Sequence, residues 1–368
     1  MTFFAINSKL DTTYYASRKI ENTIREKEET IMNKNWKKYI TGLATASLAT
    51  GFFSVGVMAD DSIDLKLSLT PSESSVWMVA VDYFKEQVEE KTDGRYTISV
   101  YPSEQLAGGD LVKGVEMLLT GSTDIALNSV MNTSSFDPRL TVTSMPWIFE
   151  NGYDSVDEYV FHGEGADAIK DIFTELGAVP LALGDNGFRQ ITNNTRPITT
   201  PEDLDGLKIR TPANSMYIDL FTLFGADPTS MNFSEVYTSL QNGTIDGQEN
   251  PYDTIRSAQI QEVSKYLTEW NYSYDIFVLS LSQKLWDSLS DEDKEIFQTA
   301  AEEACQKEIE TYRENEASIA DEFEAAGVEI TKLTDEQIQT FKDAAAPIYE
   351  SYKDQIGEDL FAKFGYTF

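Results

Sequence analysis

Apolar and polar residues alternate from Ile63 to Ser68, IDLKLS, with the period of a half-buried strand. Pro71 and the Ser/Glu run at 72–75 then open a helix to Lys91, whose inner face is marked by Trp77, Val81, Phe84 and Val88. After the Asp93-Gly94 turn, RYTISVY reads as a strand and Ser103 to Gly109 as a loop. Asp110 to Leu119 reads as a helix ending at Gly121, and Asp124 to Val130 as a third strand. This β-α-β-α-β order predicts a mostly parallel sheet, with ligands beyond the carboxyl ends of its strands.

A second β/α series begins near Ile198. Thr200-Pro201-Glu202 is a helix start, with proline at the first helical position and an acid beside it. Ser234, Tyr237 and Leu240 mark a short amphipathic helix that ends at Asn242-Gly243. Asp275 to Leu281 is an apolar strand long enough to cross back to a first lobe. Ser290 caps a Pro- and Gly-free run to Ala326, which at helical rise spans roughly 54 Å and braces both lobes. A final helix starts at Thr334-Asp335-Glu336 and runs to Ala345. The lobes are joined by strands and no Gly-Ser linker is present, so discontinuous domains and a hinge are expected.

The N-terminus stands apart. Met32 begins MNKNWKKY, a basic stretch, followed by the uncharged apolar ITGLATASLATGFFSVG and the small-residue site Val57-Met58-Ala59. That is the pattern of a cleaved secretory signal over residues 32–59, with residues 1–31 an upstream extension and Asp60 the expected mature start. No cysteine lies near the cleavage point, so a free exported chain is expected. Removing the leader's 8 basic and 5 acidic residues from totals of 29 and 62 leaves 21 against 57, a net charge of −36. Such a balance argues against nucleic acid and anionic lipid as partners. Cys305, the only cysteine, sits in a helical stretch as a buried small hydrophobe, and His162, the only histidine, in a loop. The sequence has no zinc cluster, nucleophile elbow or phosphate loop, and no metal or other cofactor is expected.

Against that acidic background two arginines gain weight. Arg189 follows the apolar run Val179 to Leu183. Arg210 ends the short strand signal Leu207-Lys208-Ile209 after the Asp205-Gly206 turn, and Asn250 ends Thr244 to Glu249, closed by Pro251. Three polar side chains at strand ends suit a cleft in an open α/β sheet, and the planar fork of a guanidinium matches the two oxygens of a carboxylate.

The string FSEVYTSLQNGTIDGQENP, with EVSKYLTEW after it and PSEQLAGGD and SMPWIFEN before it, resembles the signature of the DctP-like solute-binding proteins of tripartite ATP-independent periplasmic (TRAP) transporters, over Asp64 to Phe368. The resemblance implies a two-lobed α/β periplasmic binding protein of the Venus-flytrap kind, with discontinuous lobes, hinge strands and a long helix bracing both. Lobe I is expected over 60–186 with about 275–316, and lobe II over 187–274 with about 317–368. It implies Arg210 as the carboxylate clamp, Arg189 as the second guanidinium, Asn250 as the closing amide and Phe233 as an aromatic wall. Asn128, Trp147 and Trp270 are further expected pocket residues, with Glu73 and Trp77 reaching in from the first helix start. Ala213 stands where sialic-acid-binding relatives carry Asn, and Asn128 where some carry an acid, which points to a smaller organic acid or a sugar acid. The implied partners are that ligand and the small and large permease subunits, the implied state a monomer, and the implied place the periplasm. A secreted carboxylate-dependent enzyme such as a glycosidase, or a receptor for a signalling partner, is the alternative.

Overall fold

The computed structural model describes residues 62–368, so the signal peptide and the upstream extension lie outside the described residues. Ten strands carry the fold: β1 (Ile63–Leu69), β2 (Tyr96–Tyr101), β3 (Ile125–Ser129), β4 (Ala178–Asn193), β5 (Lys208–Thr211), β6 (Asp227–Ser230), β7 (Gly247–Pro251), β8 (Tyr266–Glu269), β9 (Tyr274–Ser282) and β10 (Glu329–Lys332). The first sheet has the order β2-β1-β3-β9-β4, with β1 parallel to β2 and β3, and β9 antiparallel to both of its neighbours.

β4 is the strand that makes two lobes from one chain. Its first part pairs with β9, while Arg189 to Asn193 pair with β7 in the second sheet, β4-β7-β5-β6, with β8 and β10 on its other side. Near the end of its pairing with β9 the β4 register slips at Asp185/Gly187. A bulge of this kind bends and twists a strand, which re-aims the second half of β4 into the second sheet.

The long helix spans Asp291–Ala325, 35 residues. Ser290 accepts from Asp293 N at its start, and Asp291, Glu292 and Asp293 in the first turn complement the helix dipole. Phe297, Ala300, Ala301, Ala304 and Cys305 recur at helical spacing and bury against Phe84 and Val88 of the helix Trp77–Lys91 in lobe I. Further along, Ile319 and Phe323 join Val236, Leu240 and Ile255 in the core of lobe II. One helix therefore contributes to both cores. Midway it grips the β4 bulge: Arg313 Nε donates to Asp185 Oδ2 at 2.6 Å, and the buried Glu308 accepts from Asp185 N at 3.0 Å.

Two sequence expectations change. The helix start at Thr200-Pro201-Glu202 yields only the single turn Pro201–Leu204, because a tight turn through Asp205 and Gly206 follows at once. The last helix does not stop at Ala345 but continues through Pro347 to Ile356, since Ile348, Tyr352 and Ile356 keep burying its inner face. The proline removes one backbone bond, and that loss is smaller than the packing gained over about three further turns. Cys305 is free and buried, and His162 is exposed. No helix among the described residues is long and apolar enough to cross a membrane.

Candidate ligand-binding site

Where the two sheets face each other lies a cleft whose empty space, open solvent included, is about 400 Å³. Lobe II supplies Arg210 from β5, Arg189 from β4 and Asn250 from β7. β5, β7 and β4 are adjacent strands; Arg210 and Asn250 stand near the ends of theirs, whereas Arg189 lies not at a strand end, as expected from the sequence, but inside β4 opposite Pro251, which brings it beside them. Phe233 opens the short helical stretch after β6 and stands beside them, its ring centre 5.7 Å from the Arg210 guanidinium carbon.

The two guanidiniums differ in electrostatic state. Arg189 is 1% exposed and grips Glu249, itself wholly buried: Nε donates to Oε2, and Nη2 to Oε1 at 2.8 Å and to the Glu249 carbonyl at 2.9 Å. Tyr272 Oη donates to the same carboxylate at 2.7 Å. Burial works against the charge on Arg189, yet Glu249 outweighs it and holds the guanidinium well above its usual range. Arg189 Nη1 has no partner.

Arg210 is equally buried, but its Nε and Nη2 donate only to the Met231 carbonyl, at 3.0 and 2.8 Å. No carboxylate among the described residues pairs with it. Burial therefore pushes its ionisation down to about 10, Glu249 opposing and Arg189 adding to the shift. It stays charged at neutral pH. A buried cation lacking a counter-ion is costly in a ligand-free protein, and that cost is removed when an anion arrives.

Asn250 links the pair to the strand. Its Oδ1 accepts from Arg189 Nη2 at 3.0 Å and its Nδ2 donates to Gln248 Oε1. Lobe I closes the cleft with apolar Trp77, Leu111 and Met131 and with polar Ser129 and Asn132. Asn186 and Thr254 sit at its edge, the Thr254 hydroxyl donating to Asn186 Oδ1 at 3.2 Å.

Five of the nine sequence-nominated residues thus meet in one cleft: Arg210, Arg189, Asn250, Phe233 and Trp77. Four do not. Asn128 is buried in β3 opposite Val278, and because strand side chains alternate faces it is the next residue, Ser129, that reaches the cleft. Glu73 is exposed, and the lobe contacts of its segment are made by Ser72, Ser74 and Ser75. Trp147 and Trp270 pack edge to face, ring centres 6.1 Å apart, and line a different groove beside Phe188 and Lys332. A left-handed backbone at Trp147 (φ 55°) turns that ring inward. The sequence reading missed Asn132, Asn186, Met131 and Thr254. Their signal was faint, since only three-dimensional proximity to Arg210 distinguishes them from ordinary loop and helix-start residues.

Two sheets joined by continuous strands, a helix shared by both cores and an interior cleft between them define a two-lobed binding protein. The chain belongs to family 7 of the bacterial extracellular solute-binding proteins, the DctP family, whose model matches residues 67–355. It is 30% identical to the C4-dicarboxylate-binding periplasmic protein DctP of Vibrio cholerae, over 88% of this chain and 96% of that protein. A TRAP periplasmic solute-binding protein of Ralstonia eutropha, solved with (S)-2-acetolactate, superimposes with a TM-score of 0.79 at 33% identity, covering 82% of this chain and 97% of that one. Another from a Polaromonas species, solved with D-erythronate, gives 0.78 at 31%, covering 83% and 99%.

Proposed function

We propose that this protein captures an organic acid anion, of the sugar-acid or C4-dicarboxylate size, between its lobes and passes it to the small and large permease subunits of a TRAP transporter. The carrying observation is Arg210, a buried guanidinium without a carboxylate partner on the wall of the cleft between the lobes. Arg189 presents its unpartnered Nη1 as the second donor, with Asn250 fixing its orientation. The acetolactate and erythronate of the two similar structures are both small organic acids, which supports the reading. The moving bodies are residues 60–186 with about 275–316, and 187–274 with about 317–368. The ligand is bound and released unchanged by a monomer in the periplasm. A glycosidase-like enzyme is disfavoured, because the cleft lining includes no carboxylate to act as acid or nucleophile.

Calorimetric titration of Arg210 variants tests the clamp. Removing one partner of a desolvated charge pair costs roughly 2–5 kcal/mol, about 30-fold to several thousandfold in affinity. Arg210→Ala should lose that much, and Arg210→Lys should also bind poorly, because a point ammonium cannot reproduce the fork. Near-wild-type affinity in both variants would remove Arg210 from the site.

A further inference from the structure

The charge around the cleft is compensated everywhere except at one place. Arg189 and Arg210 are the only cations on its lining, and Arg189 is already neutralised by Glu249 through two side-chain bonds. The opposite wall, from lobe I, offers Trp77, Leu111, Met131, Ser129 and Asn132, none of them basic. Backbone amides at helix starts are the other natural anion donors. Beside the lining residues Trp77, Leu111 and Met131, one such amide at each start is taken by a protein carboxyl group. Asp253 Oδ2 accepts from Val76 N at 3.0 Å, Asp110 Oδ1 from Lys113 N at 3.0 Å, and Asp275 Oδ1 from Met131 N at 3.2 Å.

We infer that the cleft accepts ligands bearing a single carboxylate and discriminates against dicarboxylates of the same length. This rests on the reading of Arg210 as a carboxylate clamp. The ligand's one carboxylate neutralises Arg210 and accepts from Arg189 Nη1, and its far end meets the lobe I wall. A hydroxymethyl group there finds Asn132 and Ser129 among apolar neighbours. A second carboxylate in the same place would be desolvated without a cation, a heavier penalty than for a neutral polar end. The inference therefore narrows the expected ligands to monoacids, sugar acids among them.

Matched pairs test it: 4-hydroxybutyrate with succinate, erythronate with meso-tartrate, and galactonate with galactarate. Within each pair a terminal hydroxymethyl replaces a carboxylate on the same number of carbons. Titrated into the wild-type protein at neutral pH, the monoacid of any pair that binds should be at least about tenfold tighter. A diacid binding as tightly as or more tightly than its partner overturns the inference while leaving the clamp intact. If no member of any pair binds, the clamp reading fails, and this inference with it. Asn132→Lys supplies the missing cation on the lobe I wall. It should shift the monoacid-to-diacid ratio at least about tenfold toward the diacid, and an unchanged ratio also counts against the proposal.

Discussion

At Arg189 and Arg210 the same side chain plays two energetic parts. Arg189 and Glu249 form a buried pair, so Arg189→Ala leaves a carboxylate with no exposure and no cation. Breaking such a pair costs about 3–5 kcal/mol. Arg210→Ala removes a buried cation that has no counter-ion, so the ligand-free protein should be no less stable for its loss. Urea denaturation of both variants without ligand checks the contrast, and equal destabilisation would contradict it. Glu104 offers a second residue-level test. It lies buried, accepting from Ser68 and Thr70 hydroxyls at 3.0 Å, and burial raises its carboxyl from 4.5 to about 6. The folded state therefore holds the proton more tightly than the unfolded one. The associated stability is full below pH 4.5 and is lost as pH rises through about 6. From about pH 4 to 7 the wild type should lose roughly 2 kcal/mol relative to Glu104→Gln. A difference that stays flat with pH would show that Glu104 does not titrate in this way. Both arginines were legible in the sequence, because a guanidinium at a strand end is conspicuous in so acidic a chain. Their division of labour was not, since Glu249 and Met231 come into contact with them only through the fold.

Among the elements, β4 and the long helix meet at Gly187. Its φ of +103° lies in the region glycine favours, and a methyl group there would run into the Tyr312 ring of the helix. Gly187→Ala combines backbone strain with overpacking and should cost about 2–4 kcal/mol in chemical denaturation. A change below about 0.5 kcal/mol, the range of an unremarkable surface substitution, would show that the helix does not clamp the strand there. The long helix itself was plain in the sequence: a capping serine, an acidic first turn and a run free of Pro and Gly. Strands β1, β2, β3, β5, β7 and β9 were also legible, whereas the four-residue β6, β8 and β10 were not, nor that β4 serves two sheets, for the apolar run Val179–Leu183 ends well before the residues that pair with β7. The helix from Thr334 was read only to Ala345, whereas tertiary burial of Ile348 and Tyr352 carries it through Pro347.

In the whole molecule the lobes touch across the cleft through a polar latch. Ser75 Oγ donates to Asp253 Oδ2 at 2.7 Å, Ser72 Oγ to the Ser257 carbonyl at 2.9 Å, and Asn214 Nδ2 to Ser134 Oγ at 2.8 Å. If Arg210 is the proposed clamp, an anion on it would favour the same arrangement as these bonds, and a ligand that fits between the lobes would shift the population toward it by differential contact. The sequence pointed to two lobes and a hinge through the family resemblance and the missing linker. It could not show which residues latch, because Asp253 and Ser75 look like ordinary helix-start residues until the lobes are folded together. On the proposed reading, an organic acid anion is what brings and holds the lobes together. A thermal melt of the mature chain against sugar acids, hydroxy and keto acids, dicarboxylates, neutral sugars and amines tests it most directly. A carboxylate at a hundredfold its Kd should raise stability by about 2.7 kcal/mol and be recovered unchanged. Stabilisation by neutral sugars or amines alone, or conversion of the acid to a product, would contradict the account.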